Sequence, residues 1–373
     1  MSKRRAATHP CLVVCPPGLE SVVSDELADL GIRTLRSSKG AVSADMTTRQ
    51  LYAANVFLRC ATRILVRVAG FTVRTFADLE RRIAEVDWDD WIGAGDSPRF
   101  RVTSRNSELW HDGAVTQRFE AALGTPVEGA REQLVVVRAV NDRFTVSVDS
   151  SGAPLHERGW RQAIAKAPLR ESVAAGLLVA AGWDPTTPLV DPMCGSGTIA
   201  IEAALLAGGV APAAGRELAF RFWPGFEPGT WASVAAEIQK RRTDAGDPPP
   251  IVAVDRDAGA VESARANAER AGVADLIEWR TAPIAELARP DGTDGRPGLL
   301  VANPPWGGRL AGGDLRNLYA TLGRVASEGF AGWLLGVLVA DRTLARQVRP
   351  GLTEALQLEL GGRQAWYLTG RLR

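Results

Sequence analysis

The stretch LVDPMCGSGTIAIEAA, residues 189–204, reads as an apolar strand closed by an acid, a turn built on two glycines, and an unbroken apolar helix. Gly195 and Gly197 let the backbone bend sharply and approach a ligand closely. Thr198 opens a helix whose first amides have no partner within the helix. A strand that hands over to a helix in this way is the unit from which open, mostly parallel sheets are wound, and ligands bind such sheets beyond the carboxyl ends of the strands.

Working outward from this turn, strands and helices alternate. The helix PLRESVAAGLLVAAGW comes first, with proline near its first turn and glycine near its end. The strand TPLVD, the helix GTIAIEAALLAG, the strand IVAVD, the helix AGAVESARANAERAG and the strands LIEWR and GLLVAN follow. The helix DLRNLYATLGRVASEG and the strand AGWLLGVLVA come next, and EALQLEL with QAWYLTGRL reads as a closing antiparallel pair. This pattern predicts a doubly wound α/β domain. Residues 209–249 are too long for an ordinary connection and read as an insertion. The N-terminal part has a different texture. CLVVC, TRILVRVAGF and RFRVTSRNSEL read as strands, GLESVVSDELADLG as a helix ended by Gly31, and QLVVVRAVNDRFTVSVDSSG as a hairpin turning at NDR. That half is expected to be α+β.

Gly195, Gly197 and Ala200 also satisfy the G-x-G-x-x-A spacing of dinucleotide sites. Two features point elsewhere. A dinucleotide site places an acid roughly 20 residues further on, whereas the next strand-end carboxylate, Asp255, comes only after the insertion. Asp191, ahead of the glycines, would repel a pyrophosphate but suits the cationic methionine part of S-adenosylmethionine (SAM). Asp255, with Arg256 beside it, is placed to accept two ribose hydroxyls, while Asp257 can cap the next helix. Cys194 and Ser196 complete the turn. No His or Lys adjoins Cys194 to lower its pKa, so it reads as a packed turn residue and not as a nucleophile.

A second corner, VANPPWGGRL, residues 301–310, follows the fourth strand of this series. It places Asn303 at the same sheet edge as Asp191 and Asp255. The amine of guanine or adenine has a delocalised lone pair and is a poor nucleophile. The Asn303 amide oxygen and the Pro304 carbonyl can accept both of its N–H bonds and favour rehybridisation. Pro304 and Pro305 preset the backbone and bring no competing N–H. Trp306 offers a flat face for an extruded base, and stacking of that kind contributes about 1–3 kcal/mol per base. Catalysis would then come mainly from placement.

The 373-residue chain carries 44 Lys and Arg against 43 Asp and Glu, so nucleic-acid affinity must come from a local patch. Nearly all the cations are arginine, which is a better fork for phosphate than lysine, although a genome rich in G and C explains the bias equally well. Arg63, Arg67, Arg99, Arg101, Arg105, Arg158 and Arg161 are the candidates for a phosphate track. Four scattered cysteines and three histidines have no metal-ligand spacing, so no metal is expected. The first residues lack a signal-peptide core, and no apolar run approaches the roughly 18 residues of a membrane span. Reduced thiols, a cytoplasmic location and no membrane association are expected.

At these residues a family becomes recognisable. The chain resembles the THUMP-domain RNA guanine-N2 methyltransferases, which include bacterial 23S ribosomal RNA and tRNA enzymes. The resemblance is carried by SELWHDGAVTQRFEAAL, VSVDSSGAPLHERGWR, KAPLRESVAAGLL, DPMCGSGTIAIEAA, FRFWPGF, AVDRD and NPPWGGRL. It implies a ferredoxin-like region over residues 1–58, a THUMP RNA-binding domain over 59–160 and a Rossmann-like class I methyltransferase domain over 161–373. It also implies that Pro168 and Leu169 join Asp191, Cys194, Gly195, Ser196, Gly197 and Thr198 around the methionine part of SAM. Structured RNA is the implied partner, and KAPLRE leans toward ribosomal RNA.

There are departures from the family pattern. Trp306 stands where tyrosine is usual, which puts any hydroxyl-dependent role in doubt. Ala282 and Pro283 stand where an acid commonly meets the adenine amine. The same proline corner serves adenine-N6 and protein amide methylation, and an RNA-binding assembly factor that keeps SAM as a structural ligand is the non-enzymatic alternative.

Overall fold

The computed structural model describes residues 8–162, 169–291, 293, 295–306, 315–349 and 351–373. Pro168 and Gly307–Leu310, singled out above, lie outside the described residues. The chain divides into two units. Residues 1–15, 24–155 and 215–235 form the first, and residues 16–23, 156–214 and 236–373 form the second.

The first half of the chain runs β1 (Thr8–Val14), α1 (Glu20–Asp29), β2 (Thr34–Ser38), β3 (Ala41–Thr47), α2 (Thr48–Phe57), β4 (Arg63–Thr72), α3 (Phe76–Ala84), β5 (Ser97–Arg105), α4 (Asp112–Leu123), β6 (Glu132–Val140) and β7 (Arg143–Asp149). Its strands form one sheet in the order β2-β3-β1-β4-β7-β6-β5. The expected hairpin is β6 and β7, turning on Asn141 and Asp142, whose φ of 51° and 64° suit the backbone twist of a tight hairpin. α2 starts at a reciprocal cap in which Thr47 and Gln50 satisfy each other's amides. Alternate residues of β6 and β7 (Val135, Val137, Phe144, Val146) pack against Leu79 and Ile83 of α3 and Val115 and Phe119 of α4. The opposite face carries Glu132, Arg138, Arg143, Thr145 and Ser147.

The insertion contributes to this first unit. Phe220 stacks on Tyr52 at 4.1 Å, and the Trp223 indole donates to the Gln133 amide oxygen at 2.8 Å.

The second half runs α5 (Glu171–Ala180), β8 (Leu189–Asp191), α6 (Thr198–Ala207), α7 (Pro228–Asp244), β9 (Ile251–Asp255), α8 (Ala258–Ala271), β10 (Ile277–Thr281), β11 (Leu299–Ala302), α9 (Leu315–Gly329), β12 (Leu334–Val339), α10 (Arg342–Val348), β13 (Thr353–Leu360) and β14 (Arg363–Arg371). The sheet order is β10-β9-β8-β11-β12-β14-β13. β10, β9, β8, β11 and β12 are parallel, and β14 enters antiparallel between β12 and β13. The expected doubly wound sheet and closing antiparallel pair are both present. Winding starts at β8 and proceeds outward in both directions, so the chain reverses its sense between β8 and β11. A crevice opens at such a point beyond the carboxyl ends of the strands.

The core explains the texture of the sequence. Parallel strands are covered on both faces, and β8, β9 and β11 are accordingly near-continuous apolar runs. Beyond Thr198, α6 is apolar all round except for Glu202, which is itself buried. Trp333, Phe330 and Tyr319 fill the other side of the sheet with Val337 and Leu335.

Candidate active site

β8 and β11 are hydrogen-bonded neighbours in parallel register, Leu189 opposite Leu299 and Val190 opposite Leu300. Asp191 and Asn303, each just past these pairs, therefore leave the sheet at the same edge. β9 is the other parallel neighbour of β8, and Asp255 ends it there too. The two corners found in the sequence thus meet at the point where the strand order reverses.

The glycine turn is held by the neighbouring strand end. The Gly195 amide donates to Asp255 Oδ2 at 3.0 Å, and the Cys194 amide to the Val254 carbonyl at 2.9 Å. Gly197 has φ +80°, and a Cβ there would lie 2.9 Å from the Ala264 Cβ. Gly195 has φ +51° with open space where its side chain would be, so this bend presents bare backbone. Thr198 then opens α6, and Ser196 and Thr198 are both buried with their hydroxyls 3.5 Å apart.

Asp255 is not the helix cap. Asp257 performs that role, accepting from the Gly259 amide at 2.9 Å and the Ala260 amide at 3.3 Å. Asp255 takes one amide on each oxygen, Asp257 N at 3.1 Å and Gly195 N at 3.0 Å. A carboxylate has about four acceptor positions, so two remain for a diol. Arg256 is exposed beside it. Asp191 is buried and accepts from the Met193 amide at 3.3 Å. Burial pushes its carboxyl up to about 8; the Met193 hydrogen bond opposes this and the Asp255 charge adds to it. Cys194 is buried and its thiol is pushed far up, first by burial and then by the Asp191 and Asp255 charges, the opposite of an activated nucleophile.

At the proline corner, the Asn303 amide oxygen and the Trp306 indole N–H are buried without a hydrogen-bond partner among the described residues. A buried polar group that meets no partner or ligand costs about 1–3 kcal/mol. The Tyr319 hydroxyl supports the corner from below by donating to the Pro305 carbonyl at 3.4 Å. The sequence did not single out Tyr319, which comes from a different helix, α9. Ala282 is half-buried against the core, and its amide donates to the Asp255 carbonyl at 3.0 Å.

The arginine candidates separate into two groups. Arg158 was expected on a phosphate track, but its side chain is 2% exposed and pairs with the fully buried Glu202 at 3.3 Å. Arg63 likewise turns inward to the buried Asp149 carboxylate and the Gly152 carbonyl. Arg161 sits against the glycine turn, bonded to Thr198 Oγ1 at 3.2 Å, to Glu171 at 3.2 Å and to the Leu169 carbonyl. These three side chains are committed to interior partners and do not form a track.

Arg67, Arg99, Arg101 and Arg105 do share a surface. Strand register places Arg101, Val136, Ser147 and Arg67 in one row across the open sheet face of the first unit. Thr103, Arg138 and Thr145 form the next row, and Arg105, Val140 and Arg143 the third. All of these arginines are exposed. Arg99 pairs with Glu132 at 2.9 Å, and no carboxylate is paired with the others among the described residues. Arg138 and Arg143 were missed in the sequence, although their outward positions follow from the alternation of QLVVVRAV and RFTVSVD.

Comparison with known proteins bears on this geometry. The family described as RMKL-like, methyltransferase domain matches residues 158–362, and the RlmL ferredoxin-like domain matches residues 11–65. The ribosomal RNA large subunit methyltransferase K/L of Marinobacter nauticus is 33% identical over 349 residues, covering 88% of this chain and 48% of its own length. A putative RNA methyltransferase of Synechocystis is 29% identical over 356 residues, covering 92% of this chain and 91% of its own. The chain spans about half the length of the K/L relatives it matches. A crystal structure of a putative methyltransferase complexed with SAH superimposes with a TM-score of 0.86 at 25% identity, covering 100% of this chain and 99% of that one.

Proposed function

The chain belongs to the RMKL-like methyltransferase family, and on that premise we propose that it transfers a methyl group from SAM to the exocyclic N2 amine of a guanosine in structured RNA. Large-subunit ribosomal RNA is the substrate this reading favours, since the K/L relatives carry that name. The observation that carries the proposal is the buried amide oxygen of Asn303, without a hydrogen-bond partner among the described residues, at the same sheet edge as the glycine turn.

The residues present fit SAM. Gly195 leaves bare backbone and open space, Asp255 keeps two acceptor positions for the ribose, and the buried Asp191 has no cation paired with it among the described residues. Leu169, Cys194, Ser196, Gly197, Thr198 and Arg256 complete the surround. Bound there, SAM supplies an electrophilic methyl group. Asn303 and the Pro304 carbonyl accept the two N–H bonds of the purine amine and turn its lone pair toward that methyl, while Pro305 and Trp306 hold the base in plane. No strong base is called for, because the amine becomes acidic only as the new bond forms.

In this reading residues 1–58 are the ferredoxin-like region, 59–160 the THUMP domain and 161–373 the catalytic domain. The exposed arginines Arg67, Arg99, Arg101, Arg105, Arg138 and Arg143 bind RNA phosphates, and the enzyme works in the cytoplasm without a metal. Incubation with labelled SAM and separated, undermodified ribosomal RNA and tRNA, followed by nucleoside mass spectrometry, tests it. N2-methylguanosine in large-subunit RNA is expected. Label confined to tRNA would reassign the substrate, label in N6-methyladenosine would reassign the amine, and no label in either RNA would leave an RNA-binding factor.

A further inference from the structure

The proline corner lacks the usual means of holding a bend. Pro304 and Pro305 have no N–H to donate, and the Asn303 amide oxygen and the Trp306 indole N–H are buried without a partner among the described residues. What remains for a grip is a carbonyl. The Tyr319 hydroxyl of α9 takes it, donating to the Pro305 carbonyl at 3.4 Å, and no other hydrogen bond reaches Pro304, Pro305 or Trp306 among the described residues. The glycine turn is seated in a comparable way, the fully buried Asn267 of α8 donating its amide N–H to the Ser196 carbonyl at 3.1 Å.

The hydroxyl acts on one torsion. The pyrrolidine ring fixes φ of Pro305, so the direction of its carbonyl is set by ψ, and the same ψ sets where Trp306 leaves the corner. The Tyr319 ring is itself fixed, 1% exposed in the core with Leu322, Val325 and Ala326 of its own helix. Burial pushes its phenol far above the ordinary range, and the Asp341 charge adds to this, so Tyr319 stays a donor. Its bond is long for O–H···O, and hydrogen bonds at reacting centres often tighten only when substrate is in place.

We propose that Tyr319 is a positioning residue for methyl transfer, fixing through the Pro305 carbonyl the plane in which Trp306 holds the target base. This rests on the reading of Asn303 to Trp306 as the base site. Tyr319 touches neither the base nor the cofactor in this scheme, so its loss costs rate and not binding.

Two measurements on the full chain test it, both with Tyr319→Phe, which keeps the buried ring and removes only the hydroxyl. In fluorine NMR of chain labelled with fluorotryptophan, the Trp306 signal, assigned with Trp306→Phe, should shift or broaden while the tryptophan signals of the first unit stay in place. An unmoved Trp306 signal would overturn the inference, and so would a shift of all the signals together, which would make Tyr319 a general structural support. In kinetics on the RNA found by the labelling experiment, Tyr319→Phe should lower kcat about 10-fold while KM for RNA and the affinity for S-adenosylhomocysteine stay within about twofold. An unchanged kcat, or a loss in KM alone, would equally overturn it. If the unmodified chain methylates no RNA, the base-site reading fails and takes the role in transfer with it, whereas the Trp306 signal still shows whether Tyr319 places that residue.

Discussion

The carboxyl edge of the second unit and the open sheet face of the first are both functional candidates, yet they are built in opposite ways. At the edge, the determining residues fix backbone: Gly195 and Gly197 allow left-handed turns, and Pro304 and Pro305 preset theirs. On the open face the determining residues are arginines, and a long cation is defined by whatever its far end finds. Arg101 and Arg158 look alike in a sequence. One stands on an exposed strand face and the other ends against a buried glutamate contributed from α6. Backbone-setting residues can therefore be read locally, whereas cations can be read only once their partners are known.

The largest expected effect sharpens that contrast. Arg158→Ala breaks a buried ion pair and should lower unfolding stability by up to about 3–5 kcal/mol in denaturant melts, less what the nearby Arg161 charge retains, while Arg101→Ala should leave stability nearly unchanged. Equal losses at the two positions would break the division between inward and outward arginines.

At the edge, Asn303→Ala should reduce the rate of methyl transfer by about 10²–10³-fold, the scale of losing one preorganised polar group at a reacting centre. S-adenosylhomocysteine affinity should be unchanged by calorimetry, because the proposed partner of Asn303 is the substrate amine and not the cofactor. Loss of cofactor affinity would move Asn303 out of the acceptor role.

The pH dependence of stability probes the same edge. The Asp191 carboxyl titrates near 8 in the folded chain against about 4 when unfolded, so between these values the folded state holds a proton that the unfolded state releases. This group's contribution is complete below about pH 4 and declines as pH rises toward 8, by at most about 1.4 kcal/mol per pH unit. Melts of Asp191→Asn should show a shallower decline over that window, and an identical profile would mean that Asp191 is already ionised at neutral pH.

The smallest effect belongs to the open face. Arg101→Glu should weaken RNA binding several-fold and reduce the slope of log affinity against log salt by about 1 or somewhat more, since one phosphate contact is lost. An unchanged slope would place the RNA elsewhere.

The same physics explains how much of the molecule could be read in advance. The doubly wound sheet was legible because buried parallel strands are apolar runs and their helices carry proline, glycine and Asp257 at their ends. The corners at Asp191 and Asn303 were legible for the reason already given. α2 was not, because Leu51 to Phe57 are buried on every side and show no amphipathic period. Nor was the share of the insertion in the first unit, which depends on Phe220 meeting Tyr52 from 168 residues away in the chain. The roles of Tyr319 beneath Pro305 and Asn267 beneath Ser196 are contacts of the same long-range kind.

In the proposed reaction the glycine turn after β8 and the proline corner after β11 act together. A crystal structure of the chain with S-adenosylhomocysteine and a guanosine-containing RNA fragment tests this most directly. It should place the sulfur beside Gly195 and the guanine amine within hydrogen-bonding reach of Asn303 Oδ1. A cofactor seated away from that turn, or a guanine bound with Asn303 facing elsewhere, would contradict it.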